Sequence, residues 1–236
     1  MSEDRCETEV SASPRFLELG ELPAAMREVG VGRRLRKGER ITSSDGEWPG
    51  CYYVSKGLIG SRGVDAEGNE ALTFLLDEGT LFLESDMLEE VKLAKSHAVP
   101  VFAAEVDTEL LYFPKPRFRH LMNTDIETAN FVARSIAQKM LAFRFLYNES
   151  RSHGVPWRIA NLFAGFAENY GVRVGDRVKL NYRISQQLLA TMLGANRITV
   201  AKGVKRLKEL GLVEKTDDFY YIVDEQRLRS YLDTFQ

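Results

Sequence analysis

From Asn123 to Ser150 the chain runs without a glycine or a proline, and apolar residues recur in steps of three or four at Ala129, Val132, Ile136, Met140, Phe143 and Tyr147. That period fits one face of a helix of about seven turns. It excludes a strand, whose side chains alternate every second residue. Asp125 and Glu127 near the start suit the partial positive charge of a helix N-terminus. A stripe this long needs a cover. The expectation is a coiled-coil-like homodimer seam through Val132, Ile136, Met140, Phe143 and Tyr147. The alternative is packing onto the chain's own preceding domain. Ser152-His153-Gly154-Val155-Pro156 then breaks the helix and marks a domain boundary.

The segment before the helix reads as β. Cys51-Tyr52-Tyr53-Val54-Ser55 and Ala71-Leu72-Thr73-Phe74-Leu75 are short and rich in aromatic and β-branched residues. Turn signals at Lys37-Gly38, Asp45-Gly46, Lys56-Gly57, Glu67-Gly68-Asn69 and Glu78-Gly79 separate such runs between Gly32 and Pro114. Many short strands at this spacing predict a sandwich or barrel, with helical periodicity absent until Pro116. Three regions follow: a β domain over 1–122, a helix and hinge over 123–152, and a C-terminal domain over 153–236.

The C-terminal region carries the sharpest motif. A helix is expected from Trp157 to about Tyr170, then a short hairpin around Gly175-Asp176. In Ile184-Ser185-Gln186-Gln187-Leu188-Leu189-Ala190-Thr191-Met192-Leu193-Gly194-Ala195-Asn196-Arg197-Ile198-Thr199-Val200, Ser185 is placed to cap one helix and Asn196 the next. Gly194 supplies the positive φ of the turn between them. Ala190 is small where two steeply crossed helices touch, and Val200 fills the gap. Those offsets give a helix-turn-helix. From Arg183 to Lys208 there are six basic residues and no acidic one, so this span carries +6 in a chain of net charge -2. That is an electrostatic footprint for phosphate. Gly211 to Val223 reads as strand, Asp-Asp turn and strand, a wing after the second helix.

The N-terminal end of a recognition helix enters the major groove. Arg197 is placed to pair with a guanine, Ile198 to press on a thymine methyl, and Lys202 to reach a base or phosphate. Asn196, Thr199, Ser185 and Gln187 complete the expected DNA-binding set, the last three on phosphates. Gly203 is costly inside a helix, by about 1 kcal/mol against alanine.

This order of elements resembles the Crp/Fnr family of regulators, from about Leu35 to Val223. Tyr52 to Gly57 and Asp65 to Glu70 are similar to the family's β-roll, Trp157-Arg158-Ile159-Ala160 to its post-hinge helix, and Gly194 to Val200 to its recognition segment. The resemblance implies an α+β fold: an N-terminal antiparallel β-roll or jelly roll of cyclic-nucleotide-binding type, a long dimerisation helix and a C-terminal winged helix-turn-helix. It implies a homodimer on a palindromic double-stranded operator, with two recognition helices one DNA turn apart. It also implies a small-molecule effector, and RNA polymerase as a partner if the chain activates. Cyclic-AMP receptors of the family hold the nucleotide through Gly-Glu and Arg-Ser pairs. Here Leu83-Glu84-Ser85 and Lys95-Ser96 stand in those stretches. Lysine cannot make arginine's two-pronged phosphate contact. The helix hydroxyls that bond adenine have no counterpart in Met140 to Arg144. An aromatic or apolar carboxylic acid is therefore expected instead, walled by Leu83, Leu141 and Phe143 and met by Lys95 or Arg144. A cyclic-nucleotide or thiol-redox response is the alternative. The family's usual Arg-Glu pair reads Arg197-Ile198, so the half-site should differ at that base step.

Other classes fare worse. Cys6 and Cys51 are the only cysteines, too few for a four-thiolate iron–sulfur cluster or a four-ligand zinc site. His97, His120 and His153 are scattered, against a cupin-like metal enzyme or a haem ligand. No phosphate loop, nucleophile elbow or dinucleotide fingerprint is present. No catalysis and no cofactor are expected. No apolar run spans a membrane and no signal segment opens the chain, so a cytoplasmic protein is expected.

Overall fold

The computed structural model describes residues 16–17, 21–43, 48–64, 70–88 and 99–234. Cys6, Lys95, Ser96 and His97, with the turns at Asp45-Gly46 and Glu67-Gly68-Asn69, lie outside them. The chain divides into two compact units, with the boundary between Asn148 and Glu149.

The first unit contains β1 (Phe16–Leu17), α1 (Ala24–Val29), β2 (Val31–Leu35), β3 (Arg40–Ile41), β4 (Gly50–Lys56), β5 (Ile59–Val64), β6 (Glu70–Leu76), β7 (Leu81–Phe82), a 3-10 turn at Ser85–Met87, β8 (Val99–Ala104), β9 (Thr108–Pro114), α2 (Lys115–Thr124) and most of α3 (Ile126–Ser152). The strands form two sheets, in the orders β1-β6-β5-β8-β3 and β2-β9-β4-β7. Every described pairing is antiparallel except β1 with β6. Cys51 faces Phe113 and Tyr52 faces Tyr112 across β4 and β9. Val54 and Phe113 from one sheet, and Ile59, Phe74 and Phe102 from the other, share one buried cluster. Sheet-on-sheet packing of this kind buries the apolar face of each layer. This is the expected β architecture.

Two helices precede the long one and were not expected. Proline breaks a helix interior, yet Pro116 sits in the first turn of α2, where a missing N–H costs nothing. Asp125 separates α2 from α3. Its Oδ2 accepts from the Thr128 N–H at 2.9 Å and from the Thr128 hydroxyl at 2.6 Å, capping α3.

The seam expected along α3 needs a correction. Val132 is 1% exposed and belongs to the core of its own unit, with Phe131 and Ala142. Two apolar stripes run along this helix. One turns inward through Phe131, Val132 and Ala142. The other faces out through Ile126, Met140, Phe143 and Tyr147, each more than half exposed. Ile136 is partly buried against the core. A period of three or four fits both stripes, so periodicity alone could not assign Val132.

The second unit contains α4 (Val155–Tyr170), β10 (Gly171–Val174), β11 (Arg177–Leu180), α5 (Gln186–Leu193), α6 (Arg197–Glu209), β12 (Val213–Thr216), β13 (Phe219–Ile222) and α7 (Glu225–Asp233). Its strands form one sheet in the order β10-β11-β13-β12, so the hairpin before the helix-turn-helix joins the wing. α4 is the centre of this core: Ile159, Phe163 and Phe166 are fully buried. Burying each such side chain contributes roughly 1.5–3 kcal/mol. The Phe163 ring lies 4.8 Å from that of Tyr220 on β13, and Trp157 Nε1 donates to Leu232 O at 3.0 Å.

Candidate DNA interface and effector pocket

The helix-turn-helix is built by local chemistry. Ser185 Oγ accepts from the Leu188 N–H at 2.9 Å and starts α5. Gly194 ends that helix at φ 56°. Asn196 Oδ1 accepts from the Ile198 N–H at 2.8 Å and starts α6. Ala190 and Val200 are buried where the two helices meet. The Arg158 guanidinium, itself buried on α4, donates to the Leu193 carbonyl and so ties the end of α5 to the core. Gly203 now has a reason. A Cβ there would come 2.7 Å from Ile159 Cδ1, so its absence lets α6 lie close on α4.

What remains outward is polar and basic. Arg197, Ile198, Thr199 and Lys202 are exposed on the first turns of α6, as are Asn196, Ser185 and Gln187 before it. Ile198 keeps 67% of its surface in water, a large apolar side chain left outside the core. Lys205, Arg206 and Lys208 lie further along the same basic helix. Lys205 meets a carboxylate, Glu209 at 3.8 Å. Two cations lie beside the wing: Lys179 Nζ on β11 sits 3.8 Å from the Phe219 ring, and Arg183, the first of the six basic residues, lies 5.9 Å from the same ring.

The first unit holds a pocket of about 280 Å³ whose lining includes Phe74, Phe82, Leu83, Phe102, Lys139 and Phe143. Of the expected effector residues, Leu83, Glu84, Ser85 and Phe143 line it. Leu141 and Arg144 are exposed and are not in its lining. Lys95 and Ser96 lie outside the described residues. Leu83 has φ 66°, a conformation that favours glycine, and it stands where the family's receptors carry one.

Glu84 is 1% exposed and already engaged. Ser135 Oγ donates to Glu84 Oε1 at 2.6 Å. Lys139 Nζ pairs with the same oxygen, and donates to Leu81 O at 2.6 Å and Ser135 Oγ at 3.2 Å. Three acceptors use the three protons of an ammonium. Burial lowers the Lys139 pKa, against the pull of Glu84. Arg62 and Lys139 were missed in the sequence. The available signal was Ser135 and Lys139, four apart on the helix face that carries Val132 and Ala142 inward. Asp86 is pushed up by burial.

The alternatives lose ground at named residues. Cys51 is fully buried and burial holds its thiol well above its ordinary pKa, which makes it a poor redox sensor. Among the described residues no three His, Cys, Asp or Glu are grouped as a metal site, and no helix is long and apolar enough to cross a membrane.

Residues 158–231 match the Crp-like helix-turn-helix domain. The chain is 20% identical over 162 residues to the global nitrogen regulator of Nostoc sp. (strain PCC 7120 / SAG 25.82 / UTEX 2576), covering 69% of this chain and 71% of that one. A transcriptional regulator of the CRP/FNR family from Thermus thermophilus shares the fold with a TM-score of 0.72 at 19% identity, over 87% of this chain and 100% of that one. The c-di-GMP responsive global regulator CLP of Xanthomonas campestris does so at 0.71 and 16% identity, over 85% and 99%. Those two likenesses bear on fold; the helix-turn-helix match bears on what α5 and α6 do. Together they show a Crp-like helix-turn-helix domain at residues 158–231 and a chain similar in sequence and fold to Crp/Fnr-type transcriptional regulators.

Proposed function

We propose that the chain is a cytoplasmic, homodimeric regulator that reads a palindromic operator through α6, under the control of a small apolar or aromatic molecule bound in the pocket of the first unit. The observation that carries the DNA reading is the N-terminal turn of α6. It is capped by Asn196, fixed to α4 through Gly203, and presents Arg197, Ile198 and Lys202 to solvent. An arginine in that turn suits O6 and N7 of guanine, and an exposed isoleucine suits a thymine methyl.

The outward stripe of α3 supports the dimer. Ile126, Ala133, Met140 and Tyr147 repeat every seven residues, with Ala129, Ile136 and Phe143 between them. That is the a/d pattern of a two-helix seam. In it Val132 gives way to Ala133. RNA polymerase is a partner if the regulator activates.

Cyclic AMP fits the pocket poorly, because the carboxylate that the family's receptors offer to ribose is held here by Lys139 and Ser135. Of the cations expected to meet an acid's carboxylate, Lys95 lies outside the described residues. Arg144 does not line the pocket, whereas Arg62 does.

The test is selection of binding sites from a random duplex library with the purified full chain, followed by titration of a selected site at rising salt. Palindromic sites with half-sites one turn apart, and an affinity falling steeply and linearly in log–log form with salt, are expected. Recovery of no common sequence would end the specific-DNA reading.

A further inference from the structure

We propose that the pocket of the first unit takes an uncharged aromatic molecule of one or two rings that carries a hydrogen-bond acceptor, its ring on the phenylalanine wall and its acceptor on Arg62. The proposal rests on reading this pocket as the effector site and narrows what enters it.

The wall sets the body of the ligand. Phe74 and Phe143 stand edge to face, 4.6 Å between centroids, and Phe82 and Phe102 lie 4.8 Å apart. Aromatic rings prefer to add a further ring in such offset or edge-on arrangements. The volume, about 280 Å³, lies just below the usual range of ligand cavities, roughly 300 to 1,000 Å³, and so suits a small occupant.

Charge sets the rest. Among the described lining residues the cations are Arg62 and Lys139, and each already has a carboxylate. Arg62 pairs with Glu105 and lies 3.6 Å from Glu70, which in turn bonds Arg40 at 2.6 Å. Among the described residues these four groups sum to zero, as does the Glu84–Lys139 pair. Asp86 adds only negative charge. An incoming carboxylate would lose its water and find these cations already matched. An uncharged ring has no such cost.

Arg62 still has donors to give. A guanidinium carries five N–H groups. Gly60 O at 3.3 Å and Glu105 take two in hydrogen bonds, and Nε faces Glu70 in an ion pair of 3.6 Å. With its side chain only 15% exposed and its charge matched, it offers a carbonyl or phenol oxygen two fixed donors rather than a net charge. Phe143 stands on α3, so the occupant touches the helix that carries the proposed seam.

The experiment uses the full-length protein and a matched pair of probes, benzamide and benzoate, which share a shape and differ in charge, with cyclic AMP as a third. Saturation-transfer NMR and thermal unfolding read binding at millimolar concentration. Benzamide should bind saturably and benzoate at least roughly tenfold more weakly. Phe143→Ala should lose benzamide, while Phe145→Ala, exposed and outside the lining, should keep it. Glu105→Gln, which removes a carboxylate from Arg62, should strengthen benzoate several-fold and leave benzamide little changed. Benzoate or cyclic AMP binding more tightly than benzamide overturns the proposal, as does no benzamide binding at all. If benzamide binds as expected but does not alter operator affinity, the ligand class stands and the effector reading fails instead.

Discussion

Lys139 Nζ on α3 lies 2.6 Å from the carbonyl oxygen of Leu81 on β7, and the same ammonium pairs with the buried Glu84. One side chain thus ties the long helix to the strand that enters the pocket. Lys139→Met should destabilise the first unit by about 3 kcal/mol, the low end for breaking a buried pair, since Lys139 keeps 21% of its side chain exposed. Lys139→Met with Glu84→Gln should recover much of that, because no buried charge is then left unmatched. Urea unfolding of the three proteins measures both. A loss below about 0.5 kcal/mol in the single variant would remove the tie from the account.

Gly203 and Ile159 should be coupled. Gly203→Ala gains helix propensity, about 1 kcal/mol, but its Cβ meets Ile159 Cδ1 at 2.7 Å. Ile159→Val deletes that methyl group. In a double-mutant cycle the pair should be more stable than the sum of the singles by roughly 0.5–1 kcal/mol. Additive effects would show that α6 and α4 adjust without strain.

Met140→Glu and Val132→Glu separate the two faces of α3. Met140 is 66% exposed and Val132 1%. A charge at Met140 should yield a folded monomer by sedimentation, with operator affinity much reduced. A charge at Val132 should unfold the first unit, as an unpaired buried carboxylate must. A folded Met140→Glu dimer would place the seam elsewhere.

Arg197 and Lys202 should fail differently. Arg197→Ala should cost about 1–3 kcal/mol on the preferred operator and relax selectivity at one base pair. Lys202→Ala, if it meets phosphate, should weaken all sequences alike and lower the salt slope by about 1. Competitive binding to single-base operator variants distinguishes them.

Asp125 gives a pH signature. Its carboxylate accepts two bonds from Thr128, and those bonds lower its pKa in the folded protein. A group depressed on folding contributes fully above its unfolded pKa, about 3.9. Its contribution is lost as pH falls through the lower folded value. The stability difference between the native chain and Asp125→Asn should therefore be constant above about pH 5 and change below about pH 4. A difference that stays constant down to about pH 2 would deny the cap its charge.

The order of residues alone encodes the parts whose chemistry is local. Ser185, Gly194 and Asn196 each act on backbone within a few residues, so the helix-turn-helix and its exposed basic face were legible from type and spacing. The β region and the wing were legible for the same reason, through turn residues and alternation. Features that depend on distant partners emerge only once the chain is packed. Which stripe of α3 turns inward is set by packing against β strands, so Val132 went to the core and Ala133 to the outer face. Pro116 marks where the β pattern stops, but the helix it opens, α2, left no clear period of its own. Glu84 read as a ligand contact until α3 brought Lys139 and Ser135 onto it from 55 and 51 residues away. Arg62 reached the pocket wall only because β5 lies in the same sheet as β6 and β8. Caps and turns are short-range and leave a mark in the order of residues. A pocket is a sum of side chains from several strands and a helix, and no local pattern records which of them will meet.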